Sequence, residues 1–272
     1  ILILRSCLVM VRLTAAVVVS VLCSSPVLAQ TPRPAAAPVQ MLAQETPPAD
    51  RPVVPSFGSL FRDLGNDLRH LPSRETALIL GAAGGISLAA HRQDVQMTRR
   101  VSNSLSLDTA FEPGEMVGGG VAQVGAAFAT FAVGRLARSP RIATVGADLI
   151  RAQILSTALT QGIKLSVGRT RPNGGHFSFP SGHASSGFAT AAVLQRHLGW
   201  KAGVPAYGLA AYIAGSRLQE NKHYLSDVVF GAAVGIVSGR TVTIGHGKTQ
   251  FAVSPFAVPG GGGVGVAWVG AQ

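Results

Sequence analysis

Cysteine is nearly absent from this chain of 272 residues: Cys7 and Cys23 are the only two, and both lie in the apolar start of the sequence. A chain processed beyond that start has no thiol, which excludes disulfides, a cysteine metal site and a thiol nucleophile. Acidic residues are scarce as well, 12 against 23 Lys and Arg, giving a net charge of +11 and a pI near 11.0. That balance suits an anionic partner, whether phosphate esters, a lipid headgroup surface or nucleic acid, and does not choose among them. Charge of either sign is low: 13% of residues are charged and 47% hydrophobic, with a mean hydropathy of +0.34. Those values lie between an ordinary soluble protein and a multi-span membrane protein. Long apolar runs are lacking too. A helix crosses a bilayer with about 20 apolar residues, and among the charge-free stretches only 116–134 comes close, much of it Gly and Ala.

What is present begins with an export signal, read over residues 1–29, with Met10 as a candidate true start. Met10, Val11 and Arg12 form a short basic region, Leu13 to Cys23 an apolar core, and Val27-Leu28-Ala29 a cleavage site. Residues 30–55 are rich in Pro, Ala, Gln and Thr without apolar periodicity, and read as a disordered tether. Phe57, Leu60, Phe61, Leu64, Leu68 and Leu71 then recur at helical spacing, predicting an amphipathic helix that packs on its own domain or lies on a membrane. Six apolar segments follow, with charge-free stretches at 76–90, 116–134, 152–163, 184–195, 202–215 and 228–239. They predict an all-α domain over 56–240, either a compact exported bundle with tight small-residue packing or a six-span membrane bundle. Beyond it, period-two alternation around Pro259 and Gly260–Gly263 predicts a C-terminal β-hairpin within 241–272. Gly247-Lys248-Thr249 looks like the end of a P-loop, but residue 242 is Val where the first glycine is required, so no nucleotide site is read there.

Three short blocks at the ends of apolar segments carry the chemistry. The first is Lys164, six residues, then Arg171-Pro172. The second is Pro180-Ser181-Gly182-His183, and the third is Ser216-Arg217, five residues, His223, three residues, Asp227. A tetrahedral oxyanion is best held by several fixed cations and N–H donors, and Lys164, Arg171 and Arg217 supply cations from three places. Ser181 suits a helix N-cap and Gly182 lets the backbone approach a ligand, so this helix start is a natural anion site. His223 and Asp227, four apart, share a helix face, and the carboxylate can fix the imidazole tautomer and sharpen its nucleophilicity. With no HExxH, no available cysteine and no acidic cluster, no metal site and no cofactor are expected.

Together the blocks resemble the signature of the PAP2 superfamily (type 2 phosphatidic acid phosphatases, class A bacterial acid phosphatases and vanadium haloperoxidases), with no substitution in any block. The likeness covers roughly 75–240 and implies a six-helix bundle. It implies that His223 attacks phosphorus and becomes phosphohistidine, that Asp227 orients it, and that His183 protonates the leaving oxygen and then activates water. It further implies that Lys164, Arg171, Arg217, Ser181 and the Gly182 N–H hold the equatorial oxygens. His176 is a candidate for the entrance. The expectation is a metal-independent phosphomonoesterase acting on lipid phosphates or small phosphomonoesters. It would be periplasmic or periplasm-facing and membrane-associated, or integral to the inner membrane. A membrane surface is a further candidate partner, and no nucleic acid is expected. The alternatives are a vanadium-dependent haloperoxidase and a non-catalytic phosphate-binding envelope protein.

Overall fold

The computed structural model describes residues 54–244 and the backbone of 250–258 and 261–269. The segment read as a leader and all but the last two residues of the tether therefore lie outside the described residues. In chain order the elements are α1 (Phe57–His70), α2 (Arg74–His91), α3 (Asp94–Ser102), α4 (Leu105–Gly118), α5 (Gly120–Leu136) and α6 (Pro140–Val167). There follow α7 (Gly182–Leu198), α8 (Trp200–Gln219), α9 (Leu225–Val242), β1 (Gln250–Val258) and β2 (Gly261–Val269). The two strands pair antiparallel, from Gln250 opposite Val269 to Val258 opposite Gly261.

Six helices are expected from the sequence, and nine occur among the described residues. The six apolar segments fall mainly in α2, α5, α6, α7, α8 and α9, and α1 is the amphipathic helix. The two additional helices escape an apolar count: α3 is polar, and α4 mixes acidic residues with a Pro at 113. The stretch 116–134 is also not one helix. Gly119 takes an extended backbone (φ −62°, ψ 144°), ending α4 and starting α5, and the two helices meet at 52°.

Local signals place the helix ends. Ser139 caps α6 and Pro140 occupies its first position, where a missing N–H costs nothing. Gly168, at φ +61°, closes α6 in the left-handed conformation and returns its N–H to the Lys164 carbonyl. α6 and α9 lie deepest. α7 packs against α6, α8 and α9, while α5 lies on α6, α2 on α9 and α4 on α8.

The α7–α9 contact depends on a glycine stripe. Gly231, Gly235 and Gly239 recur every four residues along one face of α9. A Cβ at 231 would lie 2.5 Å from the Ser181 carbonyl oxygen, and one at 235 only 2.2 Å from that of Ser185. Backbones this close bring the starts of α7 and α9 together.

By length and composition α6 and α9 are each able to cross a membrane, and the bent α4–α5 pair would make a third such unit. The outer faces of α2, α5 and α8 carry exposed apolar side chains, among them Leu78, Leu88, Val121, Leu136, Trp200 and Val204.

A buried ionic cluster fastens α1 to the bundle. Arg151 donates to Asp67 Oδ2 at 2.5 Å, to Asp148 and to the Val242 carbonyl at 3.1 Å, and Asp148 also meets His197 Nε2 at 2.7 Å. Burial pushes the Asp67 carboxyl up to about 6, against the pull of Arg151. Removing the shared cation leaves two buried carboxylates without it, so Arg151→Ala should cost about 3–5 kcal/mol in denaturant unfolding, with Asp67→Asn costing less. Gly235→Ala should destabilise by about 1–3 kcal/mol in the same measurement, because the new methyl forces α7 and α9 apart.

Candidate active site

The three blocks meet at one end of the bundle, where α6 and α8 finish and α7 and α9 begin. Lys164, buried in the last turn of α6, donates to the Phe177 carbonyl at 2.5 Å. The loop from Gly168 to Ser181 is stitched to itself and to α9: Arg171 N–H to Gly175 O at 2.7 Å, Ser178 N–H to Arg169 O at 2.7 Å, and Ser181 N–H to Asp227 O at 2.9 Å. This stitching lays Arg171, half-buried, near Lys164, and its buried Nε has no hydrogen-bond partner among the described residues.

Ser181 is fully buried and caps α7 by accepting the Ala184 N–H at 3.5 Å. Gly182 and His183 follow as the first two residues of that helix, both half-buried. Arg217, at the end of α8, is 2% exposed and its guanidinium pairs with Glu220 and, at 3.8 Å, with Glu115 of α4. His223 sits in the short turn before α9, its N–H bonded to the Arg217 carbonyl at 3.2 Å. Its Nδ1 lies 3.6 Å from Asp227 Oδ2, just beyond hydrogen-bonding distance. Separations of this kind are common before a substrate tightens a site. His176 is exposed, edge-on to Phe177 with ring centroids 6.3 Å apart.

Eight residues singled out from the sequence therefore converge. Lys164 is within electrostatic reach of Arg171 and Asp227, His183 of Arg217 and His223, and Arg217 of Arg171. Ser181 and Gly182 join them at the start of α7, where unpaired N–H groups favour anions. Beside them opens a polar cavity of about 770 Å³, walled by Asp108, Glu112 and Glu115 of α4 and by Gln219, Glu220 and Lys222. Among the described residues no group of three His, Cys, Asp or Glu side chains could hold a metal ion.

Several site neighbours carry no sequence signal that singles them out. Arg169 lies in the unspecified gap of the first block, Ser178 just before the second, Ser226 inside the gap of the third, and Asp94 on polar α3. Glu115 reaches Arg217 and Lys222 only because α4 folds back over α8. That close approach is itself legible in hindsight: a Cβ at Gly114 would lie 2.5 Å from Ser216 Cβ.

Comparisons with known proteins match the same region of the chain. Residues 146–250, a stretch that carries all three blocks, match the family model of the PAP2 superfamily. A lipid A 1-phosphatase of Porphyromonas gingivalis is 41% identical over 81 residues, 28% of this chain and 18% of that protein. The chain thus spans under a fifth of the length of that curated relative. Among solved structures, Aquifex aeolicus LpxE is 24% identical with a TM-score of 0.47, over 56% of this chain and 94% of that one. A transmembrane PAP2-type phosphatidylglycerolphosphate phosphatase from Bacillus subtilis is 18% identical with a TM-score of 0.46, over 68% of this chain and 93% of that one.

Electrostatics bias both histidines towards neutrality. Burial lowers His223, with Lys164 and Arg171 adding to the effect and Asp227 opposing it. Burial, with Arg217 and His223, lowers His183 to about 4. A phosphate dianion placed between them reverses the balance for the protonated ring. NMR titration of the imidazoles should find both midpoints below the ordinary value near 6.5, and inorganic phosphate or vanadate should raise that of His183.

Proposed function

We propose that this chain is a metal-independent phosphomonoesterase that works through a phosphohistidine intermediate. The observation that carries the reading is the position of His223. It is buried against the carboxylate of Asp227, within electrostatic reach of Lys164, Arg171 and His183, and bonded through its backbone to Arg217.

In this mechanism Lys164, Arg171, Arg217, Ser181 and the Gly182 N–H hold the non-bridging oxygens of the phosphoryl group, where charge accumulates as the transition state forms. His223, neutral and oriented through Nδ1 by Asp227, attacks phosphorus with Nε2. The P–O bond to the leaving group breaks, and His183 delivers its proton to that oxygen. His183, now neutral, takes a proton from water, which attacks phosphorus and breaks the P–N bond. Inorganic phosphate leaves, and His223 and His183 return to their starting states. The protein's cations supply the charge stabilisation that a metal provides in other phosphatases.

A lipid phosphate is the favoured substrate class. The exposed apolar side chains of α2, α5 and α8 and the apolar length of α6 and α9 suit a membrane-associated protein better than one bathed in water. The relative that is 41% identical across part of this region is named as a phosphatase of a lipid. With the N-terminal segment read as an export signal, the site would face the periplasm.

The test is phosphate release, in detergent and EDTA, from dispersed phosphatidic acid and from para-nitrophenyl phosphate. His223→Ala should lower kcat by about 10³–10⁶-fold. A variant retaining near-native hydrolysis would sink the phosphohistidine mechanism. Vanadate binding without phosphate release, coupled to bromination of a reporter dye, would instead identify a haloperoxidase.

A further inference from the structure

Asp227 is 0% exposed, and its two carboxylate oxygens have separate partners. Oδ2 accepts from Ser178 Oγ at 2.5 Å and from Tyr224 N–H at 2.8 Å, and it is the oxygen that faces His223. Oδ1 is taken by Arg169 Nη1 at 2.7 Å. The same guanidinium reaches Ser226 Oγ at 2.7 Å and, through Nη2, Asp94 Oδ2 at 2.8 Å, and it lies 4.2 Å from the centre of the Tyr224 ring. Asp94, at the first position of α3 and 1% exposed, is fixed in turn by the N–H and hydroxyl of Ser226, at 2.9 and 2.6 Å, and by His91 Nδ1 at 2.9 Å.

We propose that Arg169 is a positioning residue for the nucleophile, locking Asp227 so that Oδ2 faces His223, and that Asp94 holds Arg169 in that pose. The α2–α3 corner, which contributes nothing to the phosphate cradle, thereby sets the reactivity of His223. This rests on the assignment of His223 as the nucleophile.

The physical case has two parts. A buried carboxylate with one unfilled oxygen is held less firmly about its terminal torsion, and Lys164, a cation assigned to the phosphate, is within electrostatic reach of it. Arg169 fills Oδ1 from the side away from the cradle, so Lys164 stays available to substrate. Charge gives the second part. Arg169 stands between two buried carboxylates, and without it both lose their guanidinium partner. Loss of the guanidinium then favours protonated His223, whose other charged and titratable neighbours are Asp227 on α9, Lys164 on α6, Arg171 in the loop and His183 on α7.

The test compares Arg169→Gln, Arg169→Lys and Asp94→Asn with the parent on para-nitrophenyl phosphate, reading kcat, KM and the pH profile of kcat/KM. Arg169→Gln should lose about 10–100-fold in kcat, the range typical of groups that orient a reacting ligand, with KM nearly unchanged. Its acidic limb should move to higher pH, because the remaining Asp227 charge stabilises the protonated imidazole. Arg169→Lys should bring the limb part of the way back, and Asp94→Asn should lower kcat by a smaller factor. A folded Arg169→Gln with parental kcat and an unmoved limb overturns the proposal, and so does a loss confined to KM, which would make Arg169 a phosphate ligand. If Arg169→Gln does not fold, Arg169→Lys and Asp94→Asn decide by the same limb. If the parent releases no phosphate, the phosphatase reading fails by itself. The His223 ring titration then tests the positioning role: an upward midpoint in Arg169→Gln supports it, and an unmoved one overturns it.

Discussion

A single buried carboxylate organises this end of the bundle. Asp227 cannot sit fully buried with an unsatisfied charge, since desolvating a carboxylate costs several kcal/mol unless donors replace the lost water. The donors come from different parts of the chain: Ser178 and Arg169 from the loop after α6, and the Tyr224 N–H from the start of its own helix. Its backbone carbonyl also receives the Ser181 N–H that starts α7. Satisfying one group therefore assembles the loop, the start of α7 and the turn that carries His223.

Close packing makes that assembly possible. The glycine stripe on α9 admits α7 at backbone contact distance, and the same device recurs where Gly134 and Gly146 pass α6 and α5 and where Gly114 and Gly118 pass α8. Small residues give up side-chain burial in exchange for backbone proximity, which suits a bundle whose outer faces are apolar and whose polar groups are gathered inside. The two buried charged clusters are separated along α6, Arg151 with its carboxylates near the middle of the helix and Lys164 in its last turn. Between them α6 buries Ala152, Gln153, Leu155, Ser156 and Thr160.

Much of the site was legible in residue spacing because its members sit at helix ends. Lys164 is one turn from a left-handed cap, Ser181 is itself a cap, and Asp227 is the third residue of α9, so local rules place each of them. Helix number was less legible. Apolar counting sees the segments that bury or expose hydrophobic surface, so it recovers α2 and α5 to α9 but passes over α3, whose value is in Asp94, and α4, whose value is in its acidic stripe and close-packed glycines. The division of 116–134 at Gly119 follows from one backbone torsion that composition does not reveal.

The sequence by itself determined which residues are candidates for the chemistry, since phosphate recognition calls for cations, a capped helix start and a His–Asp pair, and those types at those spacings are visible in one dimension. Only the tertiary structure decided what supports them. Arg169, Asp94 and Ser226 are 57 to 132 residues from their partners in the network. Glu115 lies 107 residues from Lys222. No local rule links such positions. They become neighbours because a buried carboxylate must find its donors wherever the packing of α2, α3 and α9 brings them.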